Sequence, residues 1–140
     1  MRLRKIYSFG ECYNEQLYES LIKLDKSIFF ADNEFKYNRE WWVIEHNGKI
    51  IAYCGCSFKD GICILVRAWV DKKYRGKGLQ KRMIDCRIRS AKANKCTYVV
   101  TYTMPHNVYS ANNLFIKGFR LYHPAYQYVG DGVLYFRKKI

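Results

Sequence analysis

Apolar residues along this chain change their period several times, and each change marks an element. Leu3 to Phe9 reads as a short strand. From Asn14 to about Asp25 the apolar positions Leu17, Leu21 and Leu24 recur at helical spacing behind a capping Asn14, which predicts a helix. The stretch from Ser27 to Glu40 follows neither period and reads as a short helix with a loop. Trp41 to Glu45 and Ile50 to Phe58 are strand-like runs joined by His46-Asn-Gly-Lys49, where Asn47-Gly48 supplies the positive φ of a tight hairpin turn. A second turn at Lys59-Asp-Gly61 leads into Ile62 to Val70, a continuous apolar run of the kind found in central strands.

Beyond Val70 the pattern breaks into a basic, glycine-punctuated turn, Val70-Asp-Lys-Lys-Tyr-Arg-Gly-Lys-Gly-Leu-Gln80. It opens an amphipathic helix whose buried stripe is Leu79, Met83, Ile84, Ile88 and Ala91 and which ends near Asn94. Thr97 to Tyr102 is a β-rich strand. Ser110 to Lys117 is a short helix closed by Gly118, and strands follow around Phe119 to Tyr126 and Val133 to Arg137. The order predicts one α/β domain over residues 1–140, without repeats or linkers.

Composition adds limits. A chain of 140 residues buries roughly two-thirds of the surface its unfolded form exposes, so one core suffices. There is no apolar run near the ~20 residues of a membrane span, and Met1 to Tyr7 lacks the apolar core of a signal peptide. A cytoplasmic protein without a membrane partner is expected. The six cysteines contain no C-x-x-C pair and are expected to be free thiols filling the core, Cys54 and Cys56 on one strand face, with no metal bound. Residues 1–60 hold nine basic and nine acidic side chains, whereas residues 61–140 hold sixteen and three, so the whole net charge of +13 lies in the second part. Its densest portion is Lys77, Lys81, Arg82, Arg87, Arg89, Lys92 and Lys95, read either as a solvated helix face or as an attraction for nucleic acid or another acidic macromolecule.

The glycine turn carries the chemistry. Gly76 and Gly78 allow positive φ and close approach of backbone to a ligand. The first N–H groups of the following helix lack intrahelical partners and, with the helix dipole, favour an anion. Neither nucleotide fingerprint fits, because no second Gly-x-x-Gly step and no Gly-Lys-Ser/Thr is present. The segment does resemble the acyl-CoA-binding signature of the GNAT superfamily of N-acetyltransferases, Arg/Gln-x-x-Gly-x-Gly/Ala, reading here Arg75-Gly76-Lys77-Gly78-Leu79-Gln80. Gln80 departs from the pattern at its last position, where a larger side chain either crowds a phosphate or points aside. A second block, Asn107-Val-Tyr-Ser110 followed by a helix and Gly118-Phe119, is similar to the family's Asn-x-x-Ser, helix and Gly-Phe segment, in the same order.

This resemblance implies a mixed central sheet of six to seven strands with helices on both faces, splayed between the strands that flank the long helix. It implies acetyl-CoA as co-substrate. Main chain at Trp69 and Val70 would pair with the pantetheine arm and polarise the thioester carbonyl, and the N–H groups from Arg75 through Gln80, spanning Gly76, Lys77, Gly78 and Leu79, would hold the pyrophosphate. Arg75 and Lys81 would add their side chains, Asn107 would bond the amide arm, and Ser110 would cap the next helix. The family's usual tyrosine, seven residues after the asparagine, is replaced by Leu114. Tyr122, Tyr109 and His123 stand as catalytic candidates, with Glu45, His46, His106 and Tyr126 also considered. Because no carboxylate sits in Ile62 to Val70, transfer is expected to depend on positioning and a water-relayed base. Aromatic residues gather at the two places where an acceptor would bind: Phe29, Phe30, Phe35, Tyr37, Trp41 and Trp42 early, and Tyr122, Tyr126, Tyr128 and Tyr135 late. They fill the core or line a groove for the acceptor. The leading expectation is an N-acetyltransferase acting on a small-molecule or protein amine, as a monomer or homodimer. The alternatives are a related enzyme modifying nucleic acid and a non-catalytic module for acidic partners.

Overall fold

The computed structural model describes residues 1–7, 10–29, 35 and 39–140. Among these residues, seven strands and three α-helices follow in the order β1 (Arg2–Ile6), α1 (Glu15–Phe29), β2 (Glu40–His46), β3 (Lys49–Lys59), β4 (Ile62–Val70), α2 (Leu79–Ala93), β5 (Tyr98–Thr103), α3 (Val108–Ile116), β6 (Arg120–Leu121) and β7 (Leu134–Lys139). All strands join one sheet in the order β1-β2-β3-β4-β5-β7-β6. Only β4 and β5 run parallel; the rest pair antiparallel. The expected mixed α/β architecture is therefore present.

Local chemistry explains the boundaries. Asn14 Oδ1 accepts from Leu17 N at 3.0 Å and starts α1, which runs on to Phe29, past the predicted end at Asp25. Asn47 and Gly48 both have positive φ, 52° and 73°, as do Asp60 and Gly61 at 52° and 75°, so both hairpins close through turns whose twist matches the strands. Asn94 caps α2 and Gly118, at φ 88°, follows the end of α3. The predicted strand from Phe119 to Tyr126 is corrected to the two residues of β6, because the chain leaves the sheet after Leu121 to form the loop before β7. Ser8, Phe9, Phe30 and Tyr37, parts of the predicted first strand and early aromatic group, lie outside the described residues.

Alternation along β2 sorts the core onto the two faces of the sheet. Trp42 and Ile44 join the α2 and α3 side with Cys54, Cys56, Met83, Ile84, Leu114 and Phe119. Trp41 and Val43 join the α1 side with Leu21, Tyr53 and Phe35. Five of the cysteines are buried, Cys12 alone being exposed. No helix among the described residues is long and apolar enough to cross a membrane.

Among the described residues one carboxylate lies inside. Asp25 on α1 is 2 % exposed and accepts from the Tyr53 hydroxyl at 2.5 Å and from Arg67 Nε at 3.2 Å. Burial and the Asp25 bond push the Tyr53 phenol well above its ordinary value of 10.0. Burial also raises Tyr128, and hydrogen bonding to Cys63 and Cys54, with burial, raises the thiols of Cys56 and Cys86 from 9.0.

Two outcomes follow for stability. The unfolded chain ionises these groups at a lower pH than the folded one, so their effect is absent through neutrality. Stability should then fall as pH rises above about 9 and more steeply above about 10, as read from urea midpoints at a series of pH values. At Gly55 an added Cβ would lie 2.7 Å from the Trp41 ring, which also stacks on Phe35 at 4.1 Å and cannot simply move aside. Gly55→Ala should cost about 1–3 kcal/mol in equilibrium unfolding.

Candidate active site

The sheet comes apart at its one parallel seam. β4 and β5 pair only over Ile62–Ile64 and Tyr98–Val100; beyond that β4 keeps its bonds to β3, and β5 its bonds to β7. Between them opens a cleft of about 520 Å³, lined by Ile64 to Ala68 of β4, Thr101 to Thr103 of β5, Gln80, Ile84 and Arg87 of α2, and Asn107, Ser110 and Leu114 around α3. Phe29, Arg39, Tyr128 and Val129 line it from the other parts of the chain. The free edge of β4 presents backbone groups without a strand partner, and a strand edge of that kind pairs readily with an extended amide-bearing ligand.

A bulge causes the parting. Cys54 pairs with Ala68 but Gly55 pairs with Val66, leaving Arg67 as an extra residue in β4 with φ 46°. A non-glycine residue there is strained and persists only where its surroundings hold it. Arg87, 2 % exposed, does the holding: its Nη1 donates to Gly55 O at 3.2 Å and Arg67 O at 3.3 Å, and its Nε donates to Met83 O at 3.0 Å. Bulges bend the strand that carries them, and this one turns β4 away from β5. Sequence reasoning missed both arginines in these roles. It groups Arg87 with the surface basic residues, read as a solvated face or an attraction for an acidic macromolecule; that is corrected here because its side chain turns inward to the carbonyls, whereas Arg82, Arg89, Lys92 and Lys95 are exposed. Arg67, a lone charge inside an apolar strand, was the available signal.

The glycine turn lies beyond the end of β4. Asp71 N donates to Ile51 O at 2.8 Å, and the Asp71 carboxylate accepts from Lys73 N at 3.0 Å, capping a 3-10 turn over Lys72–Tyr74. Arg75 is exposed, and its Nε reaches back to Val70 O at 3.2 Å. Gly76 and Gly78 both have φ 77°, with open space where a Cβ would stand, so glycine is required here for backbone conformation rather than for room. Gly78 caps α2 without a side chain, which leaves the N–H groups of the first turn to an outside acceptor. Lys77 is exposed and Lys81 half-buried beside it.

Gln80 points aside. Its Nε2 donates to Ser110 Oγ at 3.0 Å and its Oε1 accepts from Asn113 Nδ2 at 2.8 Å, so the side chain braces α2 against α3 instead of entering the turn. Lys117 Nζ adds a bond to Asp85 at 2.9 Å between the same helices. Asn107, not Ser110, caps α3: its Oδ1 accepts from Ser110 N at 3.2 Å. The expected capping role of Ser110 is thereby corrected, its hydroxyl being engaged by Gln80.

Of the residues singled out for the cofactor, the cleft brings together Gln80, Asn107 and Ser110. Trp69 and Val70 continue β4 past Ala68, paired with Tyr53 and Ala52, and Arg75 to Leu79 with Lys81 form the adjoining turn and helix start. Tyr109 is exposed on α3, His123 is exposed, and Tyr122 is half-buried with Arg137 stacked 4.9 Å from its ring; none of the three lines the cleft. Burial raises the Tyr122 phenol, with Arg137 opposing. Tyr102 and Tyr128 do line it, their rings 6.4 Å apart. Among the described residues, no Asp, Glu, His or Lys does. Thr103, 7 % exposed, lines the cleft, and its buried hydroxyl has no hydrogen-bond partner among the described residues.

Comparison with known proteins agrees with this geometry. The model of the acetyltransferase (GNAT) family matches residues 5–119. No curated protein matches by sequence. Among solved structures, a GNAT-family acetyltransferase from Staphylococcus aureus superposes with a TM-score of 0.73 at 17 % identity, over 99 % of both chains. A ribosomal-protein-alanine N-acetyltransferase from Brucella melitensis gives 0.72 at 15 % identity, over 100 % of both. A Bacillus anthracis protein described as a streptothricin acetyltransferase, in complex with acetyl coenzyme A, gives 0.63 at 20 % identity over 74 % of this chain and 64 % of its own. At such identities the likeness is one of fold.

Arg87→Met keeps the bulk of the side chain but removes the buried donor to the carbonyls of Gly55, Arg67 and Met83. The expected loss is about 3 kcal/mol or more in urea unfolding.

Proposed function

The chain belongs to the GNAT acetyltransferase family, and we propose that its single domain moves an acetyl group from acetyl-CoA to a primary amine by direct attack in a ternary complex. The observation that carries this reading is the pairing of an open β4 edge with a helix N-terminus that no side chain caps, just beyond the end of the same strand. An extended, amide-bearing arm suits the first, and a pyrophosphate suits the second. The unpartnered Thr103 hydroxyl is consistent with a polar ligand in the same space.

The free edge of β4 toward Trp69 and Val70 would take the pantetheine arm. The N–H groups from Arg75 through Gln80 would hold the phosphates, with Arg75, Lys77 and Lys81 contributing charge. Asn107 has its Oδ1 engaged in the cap, which leaves the side-chain NH2 to donate to the arm. When bound, acetyl-CoA supplies an activated acyl group with a thiolate as leaving group. A strand N–H beside the bulge would stabilise the charge that develops on the carbonyl oxygen.

Proton removal from the amine falls to water, since the cleft's described lining offers neither a carboxylate nor a histidine. Tyr128 in the lining has its phenol shifted upward, chiefly by desolvation, and so offers no base at neutral pH. Substitution of Tyr122 or Tyr109 by Phe, one at a time, should leave turnover nearly intact; a loss of roughly a hundredfold at either would assign it a direct part in proton transfer.

The decisive test is isothermal titration of the protein with acetyl-CoA and with CoA, alongside an Arg75→Ala/Gly78→Glu variant. Binding in the micromolar range that the variant abolishes is the expected result. Equal binding by the variant, or none by the intact protein, would reject the glycine turn as the coenzyme site.

A further inference from the structure

Arg67 is built into the bulge yet most of its hydrogen-bonding capacity is unused. Its Nε donates to Asp25, and its guanidinium carbon stands 4.2 Å from the centre of the Phe29 ring, so plane and position are both fixed. Neither Nη group has a partner among the described residues, and Nη2 is buried. Asp25 holds it through Nε alone, by the same Oδ1 that accepts from Tyr53. An arginine held by its Nε side presents its Nη edge as a rigid fork suited to a planar anion. That edge belongs to a residue lining the cleft on the side closed by Phe29 and Arg39, away from the glycine turn where phosphates would lie.

We propose that the amine acetylated by this protein carries a carboxylate close to its amino group, and that Arg67 receives that carboxylate and sets acceptor specificity. The inference rests on the acetyl-transfer reading above and deepens it. Arg67 immediately precedes Ala68 at the open strand edge. A carboxylate held there places an amino group one or two bonds away beside the acyl carbon, which fits a small amino acid. Thr103 lines the cleft from β5, and its buried hydroxyl has no hydrogen-bond partner among the described residues.

The test follows CoA release from acetyl-CoA with free α-amino acids, each compared with its own carboxamide, and with short peptides whose first residue is acidic. At least one acid should exceed its amide in kcat/KM by roughly tenfold or more. The ratio should fall toward unity in Arg67→Gln and only partly in Arg67→Lys. Preference confined to acidic peptides would keep carboxylate recognition and assign its source to a side chain. Amides or simple alkylamines serving as well as acids across the panel, or an acid preference that survives Arg67→Gln, would overturn the proposal. Acetyl-CoA binding reports whether each variant folds; if Arg67→Gln does not, titration of the same acids and amides into the wild-type CoA complex decides. Loss of acetyl-CoA binding by the intact protein would count against acetyl transfer itself, whereas normal coenzyme binding with no acid preferred would count against Arg67 alone.

Discussion

A buried guanidinium donating to backbone carbonyls is the contact on which the cleft depends. Arg87 comes from the middle of α2 and reaches Gly55 on β3 and Arg67 on β4, the two residues flanking the register shift. A left-handed arginine inside a strand would otherwise relax, the strands would regain register, and β4 would be free to run beside β5. Instead the sheet holds together at Ile62–Ile64 and parts beyond it. The charge of Arg87 is tolerated because carbonyl oxygens take its N–H groups, and the same atoms that satisfy it maintain the strain that opens the site.

The bulge is held from the other face as well. Asp25 of α1 ties Arg67 to Tyr53, so a helix on one side of the sheet and a helix on the other both converge on one residue of β4. That arrangement makes the two halves of the core interdependent. It also explains a carboxylate at a position where the helical stripe of α1 calls for an apolar side chain.

A second brace joins the two segments that resemble the family's signatures. Gln80 at the start of α2 holds Ser110 and Asn113 of α3, and Lys117 holds Asp85. The helix start at the glycine turn and the Asn107 cap are thereby kept in fixed relation, although 27 residues separate their signature residues Gln80 and Asn107. The departure of Gln80 from the family pattern thus has a structural use, visible only once its partners are in place.

Much of this was legible in the chain because it is local. The hairpin turns at Asn47-Gly48 and Asp60-Gly61, the stripe of α2 and the positive-φ glycines follow from backbone sterics and periodicity within a few residues of one another. The class of fold and the family followed from the order of those elements and from two short motifs. What the tertiary structure alone decided is where strand registers shift and which polar side chains turn inward. The bulge at Arg67, the burial of Arg87 and Asp25, the turning aside of Gln80 and the shortening of β6 all depend on parts of the chain well beyond the local sequence, as with Gln80 and Ser110, 30 positions apart. A period-two apolar run looks the same with or without an inserted residue, and a charge in a sequence carries no sign of whether a carbonyl waits for it across the core.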